Sequence, residues 1–170
     1  FSELITLLAN KGSAHRAYDP YATTGESSVS YALHSQNASI ATESVMQTAK
    51  YIHHKLVIAG VNEIDAKHSY ALSPNANVPA SYFDVAYTLL QPTETSEIAE
   101  YERLKDYDKQ FLDQRVDRKT IFDKYREHGF IQHMLWSLKD DGIGFVVLGK
   151  GPLHRQFESE ARNLLLSNNY

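Results

Sequence analysis

The sequence predicts a mainly α-helical domain, an irregular bundle of about seven helices with at most one or two short strands. Three observations carry that reading. Apolar residues recur at steps of three and four, charge collects in amphipathic stretches, and glycine or proline punctuates each stretch. The alternative is an α/β arrangement with strands near 55–61, 82–90 and 143–149.

The first helix is expected over Ser2–Asn10, capped by Ser2 and stopped by Gly12. Residues 13–38 sustain no period, and Pro20, Gly25 and Ser27-Ser28 break them up. They read as a long irregular segment, with a short strand over Val29–Leu33 as the other option. From Ser39 to Lys67, the residues Val45, Ala49, Ile52, Leu56, Gly60 and Ile64 form one helical stripe. Lys55–Val61 alone reads as a strand. The unbroken stripe favours one long helix, although Gly60 costs about 1 kcal/mol inside it.

Asn77 and Pro79 open the next helix, which turns Tyr82, Phe83, Ala86, Leu89 and Leu90 to one face before Pro92. Residues 94–128 carry 18 of the 38 charged side chains and residues 1–49 only 6, which marks the later stretch as solvated helices. Glu94, Glu97 and Glu100 precede Arg103, Lys105 and Lys109, the order that complements a helix dipole. Helices over Arg118–His128 and Phe130–Lys139 follow, then a turn at Asp140-Asp141-Gly142. The last helix is expected over Pro152–Leu166.

A length of 170 residues fits a single domain, 1–170. Phe1 in place of an initiator methionine, with no basic leader, predicts a piece of a longer or processed chain. The absence of cysteine excludes disulfides, thiolate nucleophiles and Cys-zinc sites, and leaves cytoplasm and secretion both open. No apolar run approaches the roughly 20 residues of a transmembrane helix. A net charge of −4 argues against broad nucleic-acid binding by phosphate neutralisation.

Two clusters carry candidate chemistry. His15, Arg16 and Asp19, beside Tyr18 and Tyr21, gather an imidazole, a guanidinium and a carboxylate suited to acid–base catalysis. Gly149, Lys150, Gly151, His154 and Arg155 surround the start of the last helix, where unpaired backbone N–H groups and positive side chains could hold an anion. Val146–Leu153 also resembles the strand, Gly-x-Gly-Pro turn and helix of the retaining GT-B glycosyltransferases. That resemblance implies a nucleotide-sugar site, but it covers about a dozen residues in a different context and is read as coincidence.

The eight histidines show no metal-binding spacing. Adjacent His53 and His54 point about 100° apart on a helix. Asp65 and His68 lie one turn apart, and His128 and His133 are five residues apart. A metal or haem held by distant histidines is the weakest option. Asp106, Asp108, Asp113 and Asp117 alternate with lysine and arginine as a solvated helix face does. No Walker loop, dinucleotide fingerprint or serine elbow is present.

The leading expectation is a helical binding domain of a larger protein, which meets a protein partner through the Tyr- and His-bearing segment 13–38. The alternative is a transferase or hydrolase for a small phosphorylated or otherwise anionic ligand. It would use His15, Arg16 and Asp19 with the Gly149–Arg155 turn.

Overall fold

The computed structural model describes residues 16–35, 38–44, 47–72, 78–90, 127–156 and 159–167. In chain order the elements are β1 (Arg16–Asp19), α1 (Glu26–His34), β2 (Ser39–Ser44), α2 (Ala49–Ile58), β3 (Glu63–His68) and β4 (Phe83–Leu89). They continue as α3 (Glu127–Ser137), β5 (Leu138–Val147), α4 (Gly151–His154) and α5 (Ser159–Ser167). The strands form one sheet in the order β3-β2-β1-β4-β5, and every neighbouring pair is parallel. Parallel neighbours need crossovers, and α1 and α2 supply the first two.

Helices cover both faces. On one face Ala17, Ile40, Val85 and Tyr87 pack under Tyr31 of α1 and Ile52 and Leu56 of α2. Complete burial of side chains such as Ile52 and Leu56 stabilises the fold by about 1.5–3 kcal/mol each. On the other face Tyr18, Phe83 and Ala86 pack against Met134 of α3 and Leu138. A third cluster, Tyr21, Tyr70, Leu72, Leu90 and Phe130, gathers residues that follow the carboxyl ends of β1, β3 and β4 around α3.

This architecture overturns the mainly α bundle. The stripe from Ser39 to Lys67 is β2, α2 and β3, not one helix. Ala49, Ile52 and Leu56 are the buried face of α2, and Ile64 of β3 continues their spacing past the end of that helix by coincidence. Gly60 is the decisive residue there. Its φ of 84° ends α2, with Gly60 N–H donating to Val57 O at 3.0 Å and Val61 N–H to Leu56 O at 3.0 Å. The expected helix over 77–90 is β4, in which Phe83 and the run Val85–Thr88 are buried.

The α/β alternative located the strands at 82–90 and 143–149 but misplaced 55–61, which is the end of α2 and its turn. The segment 13–38 is not an exposed irregular surface in its described part. It holds the central strand β1 and the helix α1, with Ala17, Tyr18 and Tyr31 buried, and this removes the basis for a helical binding domain. Val29–Leu33 is helical.

Phe130–Lys139 is largely α3 as expected. The Asp140-Asp141-Gly142 turn signal appears instead as a bulge inside β5, where the β4–β5 register jumps from Phe83↔Leu138 to Val85↔Ile143. The final helix is split into α4 and α5. The helices expected over Ser2–Asn10 and 94–112, most of Arg118–His128, and Asp106, Asp108, Asp113 and Asp117 lie outside the described residues.

Candidate functional site

In an open parallel sheet, neighbouring crossovers that run in opposite directions leave a crevice beyond the carboxyl ends of the strands. Here the order turns between β1 and β4, so the crevice lies where β1 runs into α1. Asp19 ends β1, and the link Pro20–Gly25 leads into α1.

Gly25 sits at φ 75°, a conformation that costs a residue with a Cβ about 1–2 kcal/mol. A Cβ there would also come within 2.9 Å of the Ile52 side chain. The link is therefore pressed onto α2, and hydrogen bonds fix it. Thr48 Oγ1 donates to Thr23 O at 2.9 Å, Lys55 Nζ to Thr24 O at 3.1 Å, and Ala22 N–H to Glu43 O at 2.8 Å.

Two carboxylic acids stand at this edge. Asp19 is 3% exposed and accepts the Tyr21 N–H at 3.1 Å. Burial pushes its carboxyl up to about 8, and the Thr88 hydroxyl pulls it partly back. Tyr87 is pushed up as well, by burial and then by Asp19. Glu43, one residue before the end of β2, is 2% exposed and opposes Lys67 across the β2–β3 pair. It lines a narrow crevice with Tyr18, Thr42, Asp65, Lys67 and Phe83. The nearby lysines are both engaged, Lys67 with Asp65 at 2.6 Å and Lys55 with the Thr24 carbonyl. Glu26 opens the first turn of α1. The edge is acidic in character.

Behind it, the Tyr18 hydroxyl lies 2.8 Å from His133 Nε2, and the Tyr18 ring stacks on Phe83 with centroids 4.7 Å apart. The aromatic groups Tyr21, Phe130 and Tyr70 close the edge beside β4 through edge-to-face contacts at 5.4 and 5.8 Å.

Of the first sequence cluster, His15 lies outside the described residues. Arg16 starts β1, at the opposite end of the strand from Asp19, with its guanidinium 4.3 Å from the Tyr82 ring centroid. The turn with Gly149, Lys150 and Gly151 follows the carboxyl end of β5, and Lys150 and His154 are exposed. Arg155 reaches Glu127 Oε1 at 3.1 Å. α4 is only four residues long, so its N-terminus carries little of a helix dipole. Among the described residues, no group of three or more His, Asp or Glu is arranged for a metal, and no helix is long and apolar enough to cross a membrane.

Sequence reasoning missed Gly25 and Glu43. The available signal was an acidic residue about 20 positions beyond a strand–turn–helix junction. With a single glycine in the junction, the glycine-rich fingerprint was not visible.

Fold and edge together define a doubly wound α/β domain with its crevice at the switch point. No protein-family model and no curated protein matches the sequence. Solved structures do match in fold. Cofactor-bound Rv0187 from MTB has a TM-score of 0.60 and 15% identity, over 99% of this chain and 67% of that one. P. horikoshii TYW2 in complex with MeSAdo has a TM-score of 0.55 and 13% identity, over 97% of this chain and 50% of that one. YjhP from E. coli has a TM-score of 0.52 and 14% identity, over 85% of this chain and 46% of that one. The chain spans about half the length of TYW2 and of YjhP.

Proposed function

We propose that the chain is the cofactor-binding core of a methyltransferase that uses S-adenosylmethionine. The observation that carries this reading is the acidic switch point, with Asp19 and Glu43 at the carboxyl ends of adjacent strands around the Gly25 link. Two proteins of similar fold were solved with a cofactor or with MeSAdo.

The donor set separates cofactor classes. A dinucleotide places its pyrophosphate on the N-terminus of the first helix, beside a glycine-rich turn. In this chain Glu26 occupies that first turn, a setting hostile to phosphate. A cationic nucleoside without phosphate suits it. S-adenosylmethionine supplies an activated methyl group on a positively charged sulfur, together with ribose hydroxyls and an ammonium group.

Glu43 would accept the ribose hydroxyls, as an acid at the end of the second strand does in nucleotide-binding sheets. Asp19, which keeps its proton up to about pH 8 in the fold, would contribute negative potential behind the link once a cationic ligand draws that proton off, and Gly25 would hold the link against α2. The enzyme reading thus keeps the transferase alternative and replaces the anionic ligand with a cationic cofactor.

The test is ultraviolet crosslinking of methyl-labelled S-adenosylmethionine to the purified chain. Label is expected on the wild type and is expected to fall strongly in Glu43→Gln. Equal labelling of both, or none of either, would refute the assignment.

A further inference from the structure

A second concavity lies between α2 and β3. Ala66 and His68 line it from the strand, alternating with the Asp65 and Lys67 that face the crevice. Ala49, Lys50, His53 and His54 line it from the helix, and its volume is about 390 Å³. We propose that this pocket binds a phosphate group, held by Lys50, His53, His54 and His68.

Its chemistry is one-sided. Every polar side chain in the lining is a nitrogen donor, and no carboxylate is among them. An ammonium offers three donors and each imidazole at least one. Lys50 and His54 are one helical turn apart and so share an edge of α2. The His53 and His54 rings stand edge to face, with centroids 6.2 Å apart, so their donors diverge around the pocket instead of converging on one point. That spread suits the several oxygens of a phosphate better than a single metal ion. The two alanines leave room at the centre.

The helix itself adds to the field. Thr48, at the cap of α2, makes no side-chain cap bond, because its hydroxyl is turned to Thr23 O and the Ser44 hydroxyl. The positive end of α2 therefore adds to the charge of Lys50, and the four side chains carry the site. A phosphate accepts hydrogen bonds from imidazole N–H groups and a charge-assisted one from the Lys50 ammonium. Free phosphate and the phosphate of a nucleotide share this chemistry. The site lies on the other face of β3 from the acidic crevice, so it stands or falls independently of the cofactor assignment.

The test titrates inorganic phosphate, and separately adenosine monophosphate, into the full chain at constant ionic strength while imidazole C–H signals are followed by NMR. Saturable shifts of the His54 and His68 signals are expected. Lys50→Ala with His54→Ala is expected to weaken binding by about tenfold or more. Lys50, His53 and His54 are exposed, so these variants should keep the wild-type fold, which circular dichroism checks. Tighter binding of the nucleotide supports a phosphate ester as ligand, and equal binding supports free phosphate. Linear, unsaturable shifts, or affinity unchanged in the double variant, would overturn the proposal.

Discussion

The two margins of the sheet are built differently. Where β1 and β2 end, the chain is buried, stitched and acidic: Gly25 presses on Ile52, Thr48 and Lys55 hold the link, and Asp19 and Glu43 lie under cover. Along β5 the chain is bulged, half-exposed, and followed by an open turn. Close packing around a charged group is costly and persists where something else depends on the geometry. Slack packing at an edge strand carries no such demand. The contrast is what supports placing the proposed cofactor site at the first margin.

The largest expected effect is at Gly25. Gly25→Ala adds left-handed strain and a clash with Ile52, and should destabilise by about 2–4 kcal/mol in urea unfolding. Gly149 has open space and no positive φ, so Gly149→Ala should change stability by less than about 0.5 kcal/mol. Similar losses at both glycines would break the comparison.

Asp19 comes next. Its carboxyl titrates at 3.8 when free and at about 8 in the fold. Between those values the folded state keeps a proton that the unfolded chain has released. Its contribution is therefore full below pH 4 and is lost as pH rises to about 8, by about 1.4 kcal/mol per pH unit at most. Asp19→Asn should flatten that slope and be more stable than the wild type at pH 8, as thermal melts across pH would record. A positively charged ligand favours the ionised carboxylate, so its binding should tighten from pH 6 to pH 8.

Glu43→Gln should cost about 1.5–3 kcal/mol of cofactor affinity, roughly 10- to 100-fold, by calorimetry. Apart from the Gly149→Ala control, the smallest loss is expected at Arg155→Ala. It removes a part-buried ion pair with Glu127 and should lower stability by about 1 kcal/mol in denaturant unfolding. A larger loss there would mean that the second margin is also under constraint.

What the sequence disclosed follows the same division. α3 was legible because Phe130 and Met134 sit at helical spacing and pack on one side. β4 was not, because burial on both faces erases the period of two, and β3 was not, because Ile64 happens to continue the helical spacing of α2. Gly60 was read as a flaw inside a helix when it is the residue that ends one. Asp19 was legible as a chemical group, but its partner Glu43 is 24 residues away, and only the β1–β2 register brings them to one edge. Arg16 and Asp19 are close in sequence yet stand at opposite ends of a strand, a separation that spacing along the chain does not convey.

The central claim is that the switch point favours a cationic nucleoside over a phosphate-bearing one. Calorimetry at pH 8 should set S-adenosylmethionine beside NAD on the same preparation. Saturable binding of S-adenosylmethionine is expected, and none of NAD. Binding of NAD, or no binding of S-adenosylmethionine, would contradict it.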